Sequence, residues 1–153
     1  MNYMDIVLLH GSDILASEHM QEEKNYMQHG SISVYAHSVN VACTCLMISR
    51  KLPLAMDERS LVRGALLHDY FLYDWHDPDP SHRLHGFYHP GKALNNALKD
   101  FQLNDIEKDM IVKHMFPLTL VPPKYRESIL ICIADKLCAL CETGSLPFLC
   151  FQD

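Results

Sequence analysis

Apolar residues recur at three- and four-residue intervals along most of the chain, a spacing that predicts helices rather than strands. In the run that starts at Ser31, Val34, Val41, Cys45 and Ile48 share one face, and Pro53 ends the helix. A second stripe, Leu61, Ala65 and His68, runs through "ERSLVRGALLHD", with Asp57 as its N-cap. Further helices are predicted in "KALNNALKDF", in "LNDIEKDMIVKHMF" (capped by Asn104 or Asp105 and stopped by Pro117), and in "KYRESILICIADKLCALCET", which Pro122-Pro123 opens and Gly144 ends. Residues 3–27 are amphipathic but irregular, interrupted by Gly11, and Gly30-Ser31 supplies a break and a cap. No run alternates as a strand does between hairpin turns. The expectation is an all-α fold: a single compact helical bundle, with residues 1–30 packing on a core of 31–143 and a tail from 144 to 153.

One long segment breaks the pattern. In "YDWHDPDPSHRLHGFYHPG", Pro78, Pro80, Gly86, Pro90 and Gly91 are expected to forbid a regular helix. Long loops within compact domains are usually functional or disordered, and this one is rich in His76, His82, His85, His89, Trp75 and Tyr88.

Composition narrows the function classes. The 153 residues are 48% hydrophobic and 21% charged, which excludes a disordered tail and a coiled coil. Net charge is -6, from 13 basic and 19 acidic residues, so an extended nucleic-acid interface or duplex binding is disfavoured. No window approaches the ~18 apolar residues of a membrane span, and no secretory leader is visible at Met1–Asp5. Six cysteines are therefore read as reduced thiols of a cytoplasmic protein, with Cys138 and Cys141 as core packing. Of the ten histidines, His10, His19 and His29 lie in a polar region and are assigned no role.

The remaining polar residues fall where the helices bury surface. His37 lies three after Val34, His68 three after Ala65 with Asp69 about 100° further round, His114 three after Ile111, and Asp135 four after Ile131. Taken singly, such residues are usually hydrogen-bonded core histidines, caps or halves of ion pairs. Several of them on inward faces share one explanation: divalent cations that neutralise the carboxylates and saturate the imidazoles. Mixed nitrogen and oxygen ligation suits Fe, Mn, Zn or Co.

A lone His37, a later His68-Asp69 pair closing "ALLHD", and a distant Asp135 in an apolar "ADK" helix resemble the HD-domain superfamily of metal-dependent phosphohydrolases. The resemblance runs from about His37 to Cys141. It implies a metal site of His37, His68, Asp69 and Asp135. In two-metal members two further histidines intervene, and His89 and His114 fall in those places, with Asp69 as the bridge. The chain departs from many two-metal relatives in having Tyr70-Phe71-Leu72-Tyr73 after the pair. It also lacks the longer signature of the branch that cleaves cyclic dinucleotides.

The resemblance implies hydrolysis of a phosphate ester or anhydride of a small, nucleotide-like molecule by a metal-activated hydroxide, with one or two transition metals per chain. Asp69 and His85 are the candidate catalytic residues, His85 protonating the leaving oxygen. Arg83, Lys92 and Lys113 are candidate phosphate contacts, although a solvated surface is the commoner fate of such side chains. Two other readings stay open: a di-iron oxygenase of the same fold, and a non-catalytic module that the metal only stabilises. The N-terminal stretch, with Leu8, Leu9, Ile14 and Leu15, could instead serve a homodimer.

Overall fold

Side-chain caps set the helix starts in the computed structural model, which describes residues 1–144. Asn2 and Asp5 form a reciprocal capping box at the start of α1 (Tyr3–Leu15), and Ser17 caps the short α2 (Glu18–Glu22). A 3-10 turn at Glu23–Asn25 leads into a two-stranded antiparallel ladder, β1 (Met27–His29) and β2 (Ile32–Ser33). Ser33, Asp57 and Asn104 then cap α3 (Val34–Ser49), α4 (Glu58–Leu67) and α6 (Asp105–Lys113). Between them lies α5 (His85–Asp100), and α7 (Arg126–Glu142) completes the described chain. The expected all-α class holds, and no helix among the described residues is long and apolar enough to cross a membrane. All but the first residue of the expected tail lies outside the described residues.

The core is a layer of helices around α4, whose whole length from Ser60 to Leu67 is buried. One side of α4 packs on α3 and α1, the other on α6, and α7 lies against α3 and α6. Gly11, expected to weaken the first helix, sits inside α1 because a Cβ there would overlap Leu66. Arg63 ties three elements together from a nearly buried position: its guanidinium reaches Asp13 Oδ1 at 2.6 Å and the fully buried Glu107 at 3.5 Å.

The irregularity expected of residues 3–27 is present, whereas two other local expectations fail. Here α1 stops at Leu15 and the chain turns back over α3 through the small ladder, with Gly30 at φ 55° making the turn. The cap of α3 is Ser33, not Ser31. Most consequentially, α5 begins at His85, seven residues before Lys92, and carries Pro90 inside it. Proline removes one helical donor, but the face that it shares with His89, Ala93 and Ala97 is buried, and that burial holds the helix together. The irregular segment is thus shorter than expected. It runs between Leu72 and Leu84, both in the left-handed region (φ 62° and 63°).

Candidate metal centre

The helices converge on Asp69. His68 caps the C-terminus of α4, so Asp69 follows as the chain leaves the helix, with both residues buried. His37 comes from the middle of α3, His89 from the first turns of α5, His114 from the end of α6 and Asp135 from the middle of α7. The structure therefore brings all six of the expected ligand residues together.

The two oxygens of Asp69 face different partners. Oδ2 lies 3.3 Å from His68 Nε2 and 3.7 Å from His37 Nε2. Asp135 Oδ1 closes that group at 3.0 Å from His37 Nε2 and 3.6 Å from His68 Nε2. On the other side, Asp69 Oδ1 lies 3.1 Å from His89 Nε2 and 3.4 Å from His114 Nε2. Two of the clusters that could hold a cation are His37-His68-Asp135 and His68-Asp69-His114.

Each imidazole is held so that Nε2 points inward. The Nδ1 of His68 donates to the Ala65 carbonyl at 2.7 Å, that of His114 to Ile111 at 2.8 Å, and that of His89 to His85 at 2.9 Å. His37 Nδ1 donates instead to Glu142 Oε2 at 2.7 Å, and Asn40 steadies the other oxygen of that carboxylate. With Nδ1 protonated, a neutral imidazole offers a lone pair at Nε2, the tautomer that binds metals. Lone pairs and carboxylates facing one another in a buried space repel unless a cation or protons lie between them. The orphaned atoms fit that chemistry: His68 Nε2 and Asp69 Oδ1 are buried and have no hydrogen bond.

Protons do this work in the metal-free chain. Burial opposes charge on His37, but its bonds to Asp135 and Glu142 raise its pKa to about 9. His68 is likewise desolvated, yet the charge of Asp69 lifts it well above the ordinary range. Asp69 and Asp135 are driven low despite burial, the first by the charge of His68 and the second by the bond from His37 and the charge of His68. His114, by contrast, is lowered by burial.

The other expected site residues are spread unevenly. His85 opens α5 next to the cluster, stacked on His89 with ring centres 4.5 Å apart and on Trp75 at 5.2 Å. Its Nδ1 meets the Tyr73 hydroxyl at 2.8 Å. Burial and the neighbouring His89 push its pKa down to about 3, so at neutral pH it is an uncharged imidazole. Lys92 lies over the Tyr73 ring at 4.7 Å, within the same aromatic group. Arg83 is exposed on the loop before α5, and Lys113 Nζ sits 3.5 Å from the Pro122 carbonyl. An apolar groove of about 610 Å³ between α7 and the 116–123 segment, lined in part by Ile129, Ile133 and Leu140, contains none of the six cluster residues.

Sequence reasoning missed four residues. Glu142 lies seven after Asp135, two helical turns along the same face, and that spacing could have identified it. Gln28, whose Nε2 donates to Asp69 Oδ2 at 2.6 Å, comes from β1 and carries no periodic signal. Glu23 is fully buried in the preceding turn, with both carboxyl oxygens unbonded. His29, assigned no role, packs edge-on to His37 at 5.4 Å and forms a further cluster with His37 and Glu142.

A family model described as the HD domain matches residues 34–140, which contain all six residues of the cluster. No curated protein and no solved structure matches the chain.

Proposed function

Because the chain belongs to the HD-domain family, we propose that it is a metal-dependent phosphohydrolase that cleaves a phosphate ester or anhydride of a small, nucleotide-like molecule. The observation that carries this reading is Asp69, whose two carboxylate oxygens each face a pair of imidazoles. A single structural ion would leave one of those pairs without purpose. His37, His68, Asp69 and Asp135 would hold one cation, and His89, His114 and the other oxygen of Asp69 a second. Bound there, Fe, Mn, Co or Zn would lower the pKa of a shared water towards ~7 and polarise a phosphoryl group.

The protein's own part is orientation and proton handling. The backbone carbonyls of Ala65, Ile111 and His85 fix three imidazoles, and Glu142 fixes the fourth. His85 stacks on His89 beside the cluster as a neutral imidazole. A phosphate dianion beside it would raise its proton affinity, so His85 would take up a proton as substrate binds and pass it to the leaving oxygen. Lys92 and Arg83, on either side of His85 in sequence, supply positive charge for the phosphoryl oxygens.

The test is elemental analysis of protein purified without chelator or affinity-tag metal, followed by a screen of phosphorylated metabolites for phosphate release. Near two transition metals per chain and release that stops in Asp69→Ala is the expected result. Iron-loaded protein that consumes oxygen and releases no phosphate would overturn hydrolysis. Protein that takes up no cation would overturn the metal centre itself.

A further inference from the structure

We propose that Gln28, delivered by the small ladder, is the positioning residue of Asp69: its side-chain amide holds the shared carboxylate across both cation positions and thereby secures the second cation. This rests on the two-cation reading above and deepens it. Gln28 lies outside residues 34–140, which the family model matches, and so outside the ligand set that the helices provide.

The strand is shaped to deliver this side chain. Met27 pairs with Ser33 and His29 with Ile32, so β1 advances two residues while β2 advances one, and Gln28 is the extra residue of a bulge. It is also the one buried residue of β1. The Val34 amide donates to the Tyr26 carbonyl at 2.8 Å, which fastens this end of the ladder to the start of α3, three residues before His37. A bulge re-aims a side chain, and here the aim is Asp69: Gln28 Nε2 donates to Asp69 Oδ2 at 2.6 Å. Charge fixes which end of the amide faces inward. Burial opposes ionisation of Asp69, but the charge of His68 keeps it ionised, and a carboxylate only accepts. The amide oxygen is thereby left buried without a hydrogen bond. Methionine or leucine would fill the place with no orphaned acceptor, so what the amide contributes is its donor to Asp69.

Among the described residues this is the one hydrogen bond made to the Asp69 carboxylate, and Oδ1 has none. Imidazoles that present lone pairs to cations have no hydrogen to give it. The orientation of Asp69 matters because the two groups around it are unequal. His37, His68 and Asp135 gather on the Oδ2 side, but only His89 and His114 on the Oδ1 side. A carboxylate binds one cation through one oxygen or through both. Freed from Gln28, Asp69 would turn both oxygens to the richer group and leave the poorer one without a carboxylate. The amide at Oδ2 opposes that turn, so its loss should fall on the second cation.

The test uses the full chain with Gln28→Met, which keeps the length without the donor, and Gln28→Asn, which keeps the amide but draws it back from Oδ2. Chelator-treated protein is titrated with Mn(II) by calorimetry, and electron paramagnetic resonance distinguishes a spin-coupled Mn(II) pair from an isolated ion. In both variants the second binding step is expected to weaken by about 10- to 100-fold while the first is unchanged. At Mn(II) concentrations that give the coupled pair in the parent, the variants should show the isolated ion. An unchanged second step, or a loss shared equally by both steps, would overturn the inference and leave the two-cation reading standing. A parent protein that takes up one Mn(II) or none would overturn that reading, and this inference with it.

Discussion

His89 Nε2 and His114 Nε2 lie 2.8 Å apart, although the Nδ1 of each is already committed to a backbone carbonyl. Two neutral imidazoles so held would present lone pairs to each other, a repulsive contact that a proton or a cation between them and Asp69 Oδ1 relieves. His89→Ala removes one side of this arrangement and leaves the His37-His68-Asp135 group whole. The expected outcome is a fall from two metals per chain to one, with the helical circular dichroism unchanged. An unchanged metal count would show that the second position is not formed by these residues.

Asp69→Ala goes further. Both oxygens are lost at once, so both cation positions lose their shared ligand. Elemental analysis is expected to find no bound transition metal.

Glu142 meets the centre at His37 Nδ1. Glu142→Gln is expected to weaken cation binding by about 10- to 100-fold without changing the number of cations bound at saturation. Isothermal titration with Zn(II) separates these two quantities.

The pH dependence of the metal-free protein follows from His37. Its folded pKa, about 9, lies above the unfolded value of about 6.5. The stabilisation from this proton is fully present below pH ~6.5 and is lost as pH rises through about 9. Thermal denaturation in chelator is therefore expected to show falling stability across that window. Cation binding has the opposite trend, because His37 and His68 must release their protons to become ligands. Calorimetry in buffers of different ionisation enthalpy will show that proton release.

Away from the centre, Arg63→Ala strips the nearly buried guanidinium from the fully buried Glu107 and from Asp13. Removing one partner of such a pair is expected to cost about 3 kcal/mol, read by urea denaturation. Cation affinity should stay the same.

The helices and four of the six cluster residues could be read from sequence because each of the four is a polar interruption of a periodic apolar stripe. His37, His68, His114 and Asp135 all break such stripes. His89 was found only through its spacing in the family pattern, since Pro90 and Gly91 hid the helix that carries it. Gln28 and Glu23 were invisible for a different reason. They sit in a one-turn 3-10 helix and a three-residue strand, where burial follows from how the chain folds back over α3 and no periodicity marks the inward residues. The same holds for the two-stranded ladder, which is too short to alternate.

The histidine-rich stretch before and into α5 has a consequence for how the protein acquires its metal. His76, His82, His85 and His89 lie within one short run of chain, and in the unfolded polypeptide nothing keeps them apart. Such a run is itself a chelator, and cations bound to an unfolded chain stabilise the wrong state. Refolding in the presence of Zn(II) should therefore be slower, and recover less protein, than refolding in chelator followed by addition of the cation. Order of addition thus becomes a variable in preparing the protein: fold first, then load.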